Sequence, residues 1–425
     1  MNLRKVVFWL HLTVGALAGV TILLMAVTGV LLAFERQILA YAERDVRTVM
    51  PPASDAPRLD LDSIVANARA AVPGGAPSAV VLAASSTMAT TVNFGREQTV
   101  LVDPYTGMVR GKGASATRGF FHIVTDWHRW LGRHDGSREI GRAVTGACNS
   151  AFMALVMSGF YLWWPRRWTR LALRTVTIPS LRLQGKPRDW NWHNAIGFWS
   201  APVLLFITVT GLVISYQWAG NLIYTLTGNE RPPQRPMASS GVAGDAPPGR
   251  AGGPIRVQEG GDMEQPRRSA EGAELILAPA RASLEALFTT AVQQAPHWRV
   301  MTLRLPQRGA AQVTVMIEEA DSRHPYPRSM LTLDATTAGV IEWEPFASYN
   351  LGRTLRSWIR PVHTGEAGGF IGQGIAALAS AGGAVLVYTG MALAWRRFWP
   401  FVERQRRASG SAPTENRDTA QSEMS

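Results

Sequence analysis

Four long apolar segments constrain this chain more than any other feature of its sequence. They run at roughly 6–34, 141–164, 196–218 and 369–395, and each is long enough to cross a bilayer as a helix of about 20 residues. Basic residues precede the first segment, as in a signal peptide, but its apolar run is too long for one, so we expect an uncleaved helix. The pattern predicts a membrane protein built on a four-transmembrane-helix bundle.

The net charge of +12 arises from 43 Lys and Arg against 31 Asp and Glu. The basic residues lie beside the apolar segments instead of on one soluble stretch, which argues against nucleic acid as a partner and for a lipid bilayer. They are concentrated before the first segment, between the second and third, and after the fourth. Because such regions stay on the cytoplasmic side, we expect both termini inside and segments 35–140 and 219–368 outside.

The chain reads as a duplicated helix–domain–helix unit. Aligning His11 with His193 superimposes a glycine four residues on and a Thr-Gly pair 17 residues on, at Thr28 and Thr210. The second and fourth apolar segments match likewise, with Ser158-Gly159 opposite Thr389-Gly390. Repeats of this kind build pseudo-symmetric bundles with sites between the halves.

Each outside segment is predicted to be a small α+β domain. A helical stretch is followed by runs of alternating apolar residues, which favour half-buried strands packed on one helix. The first domain ends in the turn DPYTG, and the second in the looser DATTAG. A Pro-, Gly- and charge-rich stretch before the second domain, and the C-terminal tail, are predicted to be disordered. The expected organisation is helix 1 at 1–36, domain at 37–120, His segment and helix 2 at 121–165, basic loop at 166–190, helix 3 at 191–220, linker at 228–272, domain at 273–348, helix 4 at 355–397 and tail at 408–425.

Six of the eight histidines stand close to the apolar segments. His11 and His193 open the first and third on the predicted cytoplasmic side. Two histidines from different helices at one membrane depth suit a planar metal macrocycle, bound from both faces by neutral imidazole nitrogens. Gly15 and Gly197 would let its edge approach the backbone. Because the one cysteine lies in no C-x-x-C-H motif, a haem would be bound without covalent attachment.

Simpler explanations compete with this one. A lone histidine at a membrane interface is often only hydrogen-bonded, and Gly-x-x-x-Gly is often a helix-packing motif. Thr28, Thr210 and Thr389 are also explained by hydrogen bonds back to their own helices. His122 and His134, before the second segment, are also explained as solvated residues.

The stretches FWLHLTVGALAG, DWHRWLG, NWHNAIGFWSAP and PVHTGEAGG resemble the PepSY-associated transmembrane family over the whole chain except linker and tail. The resemblance implies that both outside domains are PepSY-like and periplasmic, in the inner membrane of a Gram-negative bacterium. It implies two bis-histidine haem b groups, and it carries iron-ligand roles to His11, His193, His128 and His363, with His122 as a weaker candidate.

The implied function is transfer of electrons across the membrane to ferric iron in the periplasm, carried by a siderophore or another chelate. The electron donor stays open between a cytoplasmic reductant and a quinol, because no flavin domain is evident in this sequence. Aromatic residues around His128, namely Phe120, Phe121, Trp127 and Trp130, are explained equally well as a docking rim and as an interface belt. The alternative function is a non-catalytic PepSY membrane scaffold that binds a periplasmic partner protein.

Overall fold

The computed structural model describes residues 2–53, 55–95, 98–165, 168–232, 281–305, 310–320, 322 and 324–409, without the side chains of 135 and 401–409. The chain divides into two compact units. The helical unit comprises 1–35, 122–219 and 359–425, and the sheet unit comprises 36–121 and 220–358. The helices are α1 (Leu3–Leu32), α2 (Glu35–Ala42), α3 (Arg44–Arg47), α4 (Leu61–Ala70), α5 (Ser115–Trp130), α6 (Arg138–Trp163), α7 (Arg170–Thr177), α8 (Gly185–Ser215), α9 (Gln217–Leu226), α10 (Leu284–Gln294), α11 (Leu351–His363) and α12 (Gly369–Ser409).

Four helices of the helical unit, α1, α6, α8 and α12, are long and apolar enough to cross a membrane. The chain is therefore a multi-pass membrane protein. Small residues and a few polar ones fill the space between the helices. Asn149 of α6 donates to the Thr208 carbonyl of α8 over 2.9 Å, and Gln373 of α12 donates to the Ala33 carbonyl at the end of α1, also over 2.9 Å. In a bundle without water, such bonds satisfy polar groups that would otherwise be costly.

The boundaries of the helices differ from expectation in two places. The fourth helix, predicted at 355–397, is two helices, because α11 ends at His363 and α12 starts at Gly369. Gly365 (φ 78°) and Gly369 (φ 60°) take up the left-handed conformation that the break between them requires. The predicted loop at 166–190 contains α7 and the first turns of α8. The predicted linker at 228–272 and tail at 408–425 lie mostly outside the described residues.

The sheet unit contains one sheet where the sequence predicted two separate small domains. Its strands are all antiparallel and follow the order β4-β3-β2-β1-β5-β6-β7-β8. The two predicted domains meet where β1 pairs with β5, residue by residue from Ala79–Arg304 to Ala83–Val300. The strands are β1 (Ala79–Ala83), β2 (Thr90–Phe94), β3 (Gln98–Val102), β4 (Val109–Lys112), β5 (Trp298–Arg304), β6 (Gln312–Glu319), β7 (Arg328–Asp334) and β8 (Val340–Glu344).

Helices α4 and α10 pack on the same face of this sheet and share one hydrophobic core with it. Their N-termini cap one another. The Asp62 carboxylate accepts from the backbone N–H groups of Leu284 (3.1 Å) and Glu285 (3.2 Å), and the Glu285 carboxylate accepts from that of Leu61 (2.9 Å). Acidic groups at helix N-termini satisfy free N–H donors and favour the helix dipole. These hydrogen bonds connect the two halves of the sheet unit.

The two turns singled out in the sequence have the same geometry. Asp103 and Asp334 each accept hydrogen bonds from the backbone N–H groups two and three residues further on. Gly107 has φ 70°, and Ala338, which replaces the glycine in the looser turn, is also left-handed at 57°. The Thr336 hydroxyl, followed by the backbone donors, lowers the pKa of Asp334 to about 2. The aspartate therefore stays ionised and keeps the turn closed at any ordinary pH.

Glu43 is a buried carboxylate that holds three segments of the sheet unit together. It pairs with Arg47, pairs with Arg118 over 2.6 Å, and accepts from the backbone N–H of Ala114 over 3.2 Å. Burial raises the pKa of Glu43, and the hydrogen bonds from the two arginines more than offset it, so this pKa lies below its usual value. A carboxyl of this kind stabilises the fold above its unfolded pKa and loses that contribution as the pH falls through the folded pKa.

We therefore expect Glu43→Ala to lower the free energy of unfolding by about 3–5 kcal/mol, because it leaves two arginines without their buried partner. Denaturation of the full-length protein in detergent, followed by the circular dichroism of the sheet, measures the change. The matched control is Asp45→Ala, whose side chain is 87% exposed and which should change stability by about 0.5 kcal/mol or less. Equal effects of the two substitutions would contradict the role given to Glu43.

Candidate functional site

Two histidines face each other inside the helical unit. His11 lies on α1 and His193 on α8, and their ring centroids are 6.3 Å apart with the ring planes at 85°. Both side chains line a cavity of about 1320 Å³ between the membrane helices. Gly15 and Gly197, singled out in the sequence, line the same cavity.

Each of these imidazoles is held at Nδ1 by a hydroxyl group on another helix. His11 Nδ1 lies 2.9 Å from Ser158 Oγ of α6, and His193 Nδ1 lies 3.0 Å from Thr389 Oγ1 of α12. Each hydroxyl also lies 2.7 or 2.8 Å from the carbonyl oxygen four residues earlier in its own helix. Because a hydroxyl has one hydrogen, which the carbonyl takes, we assign the Nδ1–H as donor to the hydroxyl oxygen. The lone pair of each ring is then on Nε2.

A second pair of histidines repeats the arrangement at the other end of the helices. His128 Nδ1 lies 2.8 Å from Thr28 Oγ1 of α1, and His363 Nδ1 lies 3.1 Å from Thr210 Oγ1 of α8. The two imidazoles are close enough to interact electrostatically. His363 Nδ1 is also 3.0 Å from the Ile207 carbonyl, which can only accept, so this nitrogen carries the hydrogen.

A glycine follows each of the four hydroxyl residues, and three of these glycines lie against a ring. A Cβ added to Gly159 would lie 3.3 Å from Cε1 of His11, one on Gly390 would lie 3.3 Å from that of His193, and one on Gly29 would lie 3.6 Å from that of His128. At Gly211 the added atom would meet Asn149 instead. The Ser/Thr-Gly dipeptide thus gives both a hydrogen-bond acceptor and room for the imidazole.

The other sequence-predicted residues are placed differently. His122 Nδ1 and His134 Nδ1 lie 3.6 and 3.4 Å from one carboxylate oxygen of Asp126, whose side chain is buried. The structure therefore places His122, the weaker ligand candidate, beside an aspartate. Of the proposed aromatic rim, Phe120 and Trp127 are exposed, whereas Phe121 is buried and cannot belong to a surface.

Among the described residues, no group of three or more His, Cys, Asp or Glu is arranged to hold a metal ion. The four placed histidines occur as two pairs.

A comparison with known protein families shows which family the chain belongs to. A family model described as PepSY-associated TM region matches residues 8–397. The chain belongs to this family. The match takes in all four membrane helices of this PepSY-associated protein and both halves of its sheet. A comparison with curated proteins gives no significant match.

The contacts between the hydroxyl groups and the histidines could not be predicted from the sequence. The Thr-Gly and Ser-Gly pairs occupy matching positions in the two halves of the sequence. A hydrogen bond from each hydroxyl back to its own helix is a sufficient reason for such a residue. The structure has both bonds at once, because the helical hydrogen bond uses the hydroxyl hydrogen and leaves the oxygen free to accept.

Proposed function

We propose that this PepSY-associated protein is a haem b oxidoreductase of the bacterial inner membrane, which passes electrons across the bilayer to ferric iron in the periplasm. The favoured substrate is a ferric siderophore. The observation that carries the proposal is the geometry of His11 and His193, two imidazoles on separate helices whose Nε2 atoms are the free ones.

The spacing of the pair suits two imidazoles that would hold one metal ion between them. A bond from a metal to an imidazole nitrogen is about 2.0 Å long, so two such rings lie close together. The ring centroids of His11 and His193 are 6.3 Å apart. The cavity of about 1320 Å³ exceeds the usual size of a small-ligand pocket, about 300–1000 Å³, and so has room for a macrocycle. These observations support haem as the group that His11 and His193 would hold.

The second pair, His128 and His363, supports a second haem. Both rings carry the same hydroxyl bond at Nδ1 as the rings of the first pair. From His11 to Thr28, the partner of His128, is 17 residues, or about 25 Å of helix. The hydrocarbon layer is about 30 Å thick, so two sites in series would cover a distance that one site would not.

When bound, haem would supply reversible one-electron chemistry at its iron. The residues of the chain would set the conditions for it. The hydroxyl groups fix the tautomer and the ring orientation, and the Nδ1–H bond makes Nε2 a stronger donor. The apolar part of the cavity wall would limit the access of water to the bound group and so influence its potential. The glycines beside the rings allow the helices to approach without displacing the imidazoles.

The orientation of the protein belongs to the same proposal. Basic residues flank the end of the bundle that holds His11 and His193, which supports a cytoplasmic position for that end and for both termini. The duplicated units would then place both halves of the sheet in the periplasm, as PepSY-like domains. Reduction of Fe(III) to Fe(II) weakens binding by hard oxygen ligands, which would release iron from its chelate.

An absorption spectrum of purified protein, with a haem assay, tests this function. We expect a b-type spectrum and two haems per chain, and oxidation of the dithionite-reduced protein when a ferric hydroxamate chelate is added without oxygen. Full-length protein that folds and carries no haem would contradict the proposal. It would favour the scaffold function, in which the histidines are structural.

A further inference from the structure

The cavity around His11 and His193 is also lined by residues of α7. We call the part that Trp163, Trp164 and residues 169–176 line the α7 lobe. Helix α7 contributes four of its lining residues, in the range 171–176, and Thr169 precedes the helix. Trp163 at the end of α6 and Trp164 after it also line the cavity. Along α1 the lining runs from Asn2 to Ile22, or about 30 Å of helix. The cavity therefore extends well beyond the immediate surroundings of the histidine pair.

Three hydrogen bonds fix α7 in place as a wall of this lobe. Trp163 Nε1 donates to the carbonyl of Val176 (3.1 Å), Trp199 Nε1 to that of Thr177 (2.8 Å), and Asn191 Nδ2 to that of Thr175 (2.6 Å). The first donor is on α6, and the other two are on α8. Because α7 is tied to two membrane helices, the lobe is a built feature of the bundle and does not depend on a loose surface loop.

The lobe combines a flat aromatic wall with polar groups. The rings of Trp163 and Phe198 stack at 4.5 Å and 20° on the cavity wall. Asn194, next to His193, also lines the cavity; its amide nitrogen donates to the Trp190 carbonyl over 2.8 Å, and its amide oxygen remains as an acceptor. Lys5 and Lys186 line the end of the cavity where α1 and α8 begin. A planar ring with hydroxyl groups fits this set of contacts.

The wall of the cavity also includes exposed aromatic side chains of the membrane helices. Trp9 of α1 and Phe160 of α6 line it, and both side chains are exposed, at 45% and 42%, on helices that can cross a membrane. An apolar molecule dissolved in the lipid would meet these side chains, which favours a lipid-borne donor.

From these observations we propose that the α7 lobe binds a membrane quinol, which is the electron donor of the protein. This inference rests on the proposed function. Oxidation of the quinol breaks two O–H bonds and forms the quinone, releasing two protons and two electrons. The protons pass to water at the mouth lined by Lys5 and Lys186. The electrons pass singly to the site of His11 and His193, and two Fe(III) chelates are reduced for each quinol oxidised.

The test uses full-length protein in lipid nanodiscs and two readouts. An azido-quinone is photo-cross-linked to the protein, and the labelled peptide is identified. We expect label in 163–176 or 190–198, and at least a tenfold loss of label with excess decyl-benzoquinone. In the second readout, decyl-benzoquinol is added without oxygen, and haem reduction is followed by absorbance.

The variant Ala172→Trp fills the lobe from α7, where Ala172 lines the cavity. We expect it to lose at least nine-tenths of the cross-link and of the quinol-driven reduction, with unchanged haem content and unchanged reduction by dithionite. Leu181→Trp is the matched control, because this residue follows α7, is 87% exposed and does not line the cavity. It should behave as the wild-type chain does.

The possible failures can be told apart. Protein without haem would contradict the proposed function, whereas the cross-link still reports on the lobe. In another outcome, the protein contains haem, and reduced flavin mononucleotide reduces that haem whereas decyl-benzoquinol does not. This result would overturn the quinol inference alone. Cross-linking that Ala172→Trp leaves unchanged would overturn it as well.

Discussion

Protein purified with His11→Ala should contain one haem where the wild-type chain contains two. The alanine removes one of the two residues that would hold the first haem, and His193 alone would hold it far more weakly. The second site, with His128 and His363, shares no ligand with it and should keep its haem. His363→Ala should show the converse, with loss of the second haem and retention of the first. A haem assay and the reduced absorption spectrum measure both outcomes.

Double substitutions test the pairing itself. If His11 and His193 bind one iron, the variant with both replaced should lose no more haem than either single variant does, because residues that act as a unit are not additive. Replacing His11 together with His363 should remove both haems. His297→Ala is the control, since this exposed histidine belongs to the sheet unit and should change neither count.

A folding defect can be separated from loss of a ligand. Alanine leaves space for free imidazole, so millimolar imidazole should restore haem to His11→Ala protein if the site is otherwise intact. Full haem content in both single variants would refute the ligand assignment.

The bundle could be predicted because membrane helices are recognised by their length and apolar composition. The repeat also showed which residues of the two halves correspond to one another. The alignment of His11 with His193 named a pair that the structure brings to 6.3 Å. Apolar periodicity does not report the partner of a hydroxyl group on another helix. The bonds from Ser158 and Thr389 to their histidines therefore had no sequence signal beyond a conspicuous dipeptide.

The joining of the two halves of the sheet could not be predicted from the sequence. Alternating residues predicted strands in each half, and both halves have them. The joining of the halves depends on the free edges of β1 and β5, and strand pairing between residues more than 200 positions apart leaves no local pattern. The break between α11 and α12 depends on the backbone conformation of Gly365 and Gly369, which the apolar segment from 369 onward does not report.

Thr389→Val should weaken haem binding at the site of His11 and His193 by about 10–100-fold, the usual effect of removing a hydrogen-bond partner of a metal ligand. Valine has almost the same shape as threonine and lacks the oxygen that accepts from Nδ1–H of His193. The ring would then lose its fixed orientation, and its Nε2 would become a poorer donor. Because a stronger imidazole donor favours Fe(III), the midpoint potential of this haem should rise in the variant.

Two matched substitutions decide whether the hydroxyl or the packing is responsible. Thr208→Val changes a buried threonine of α8 whose hydroxyl donates to the Leu205 carbonyl of its own helix over 3.0 Å. It should change neither haem affinity nor potential. Thr389→Ser keeps the oxygen, and Ser158 already makes this bond to His11, so near-normal affinity is expected. Haem titration of the apoprotein and a spectroelectrochemical titration measure the two quantities. A Thr389→Val protein with wild-type affinity and potential would show that the hydroxyl does not support the ligand.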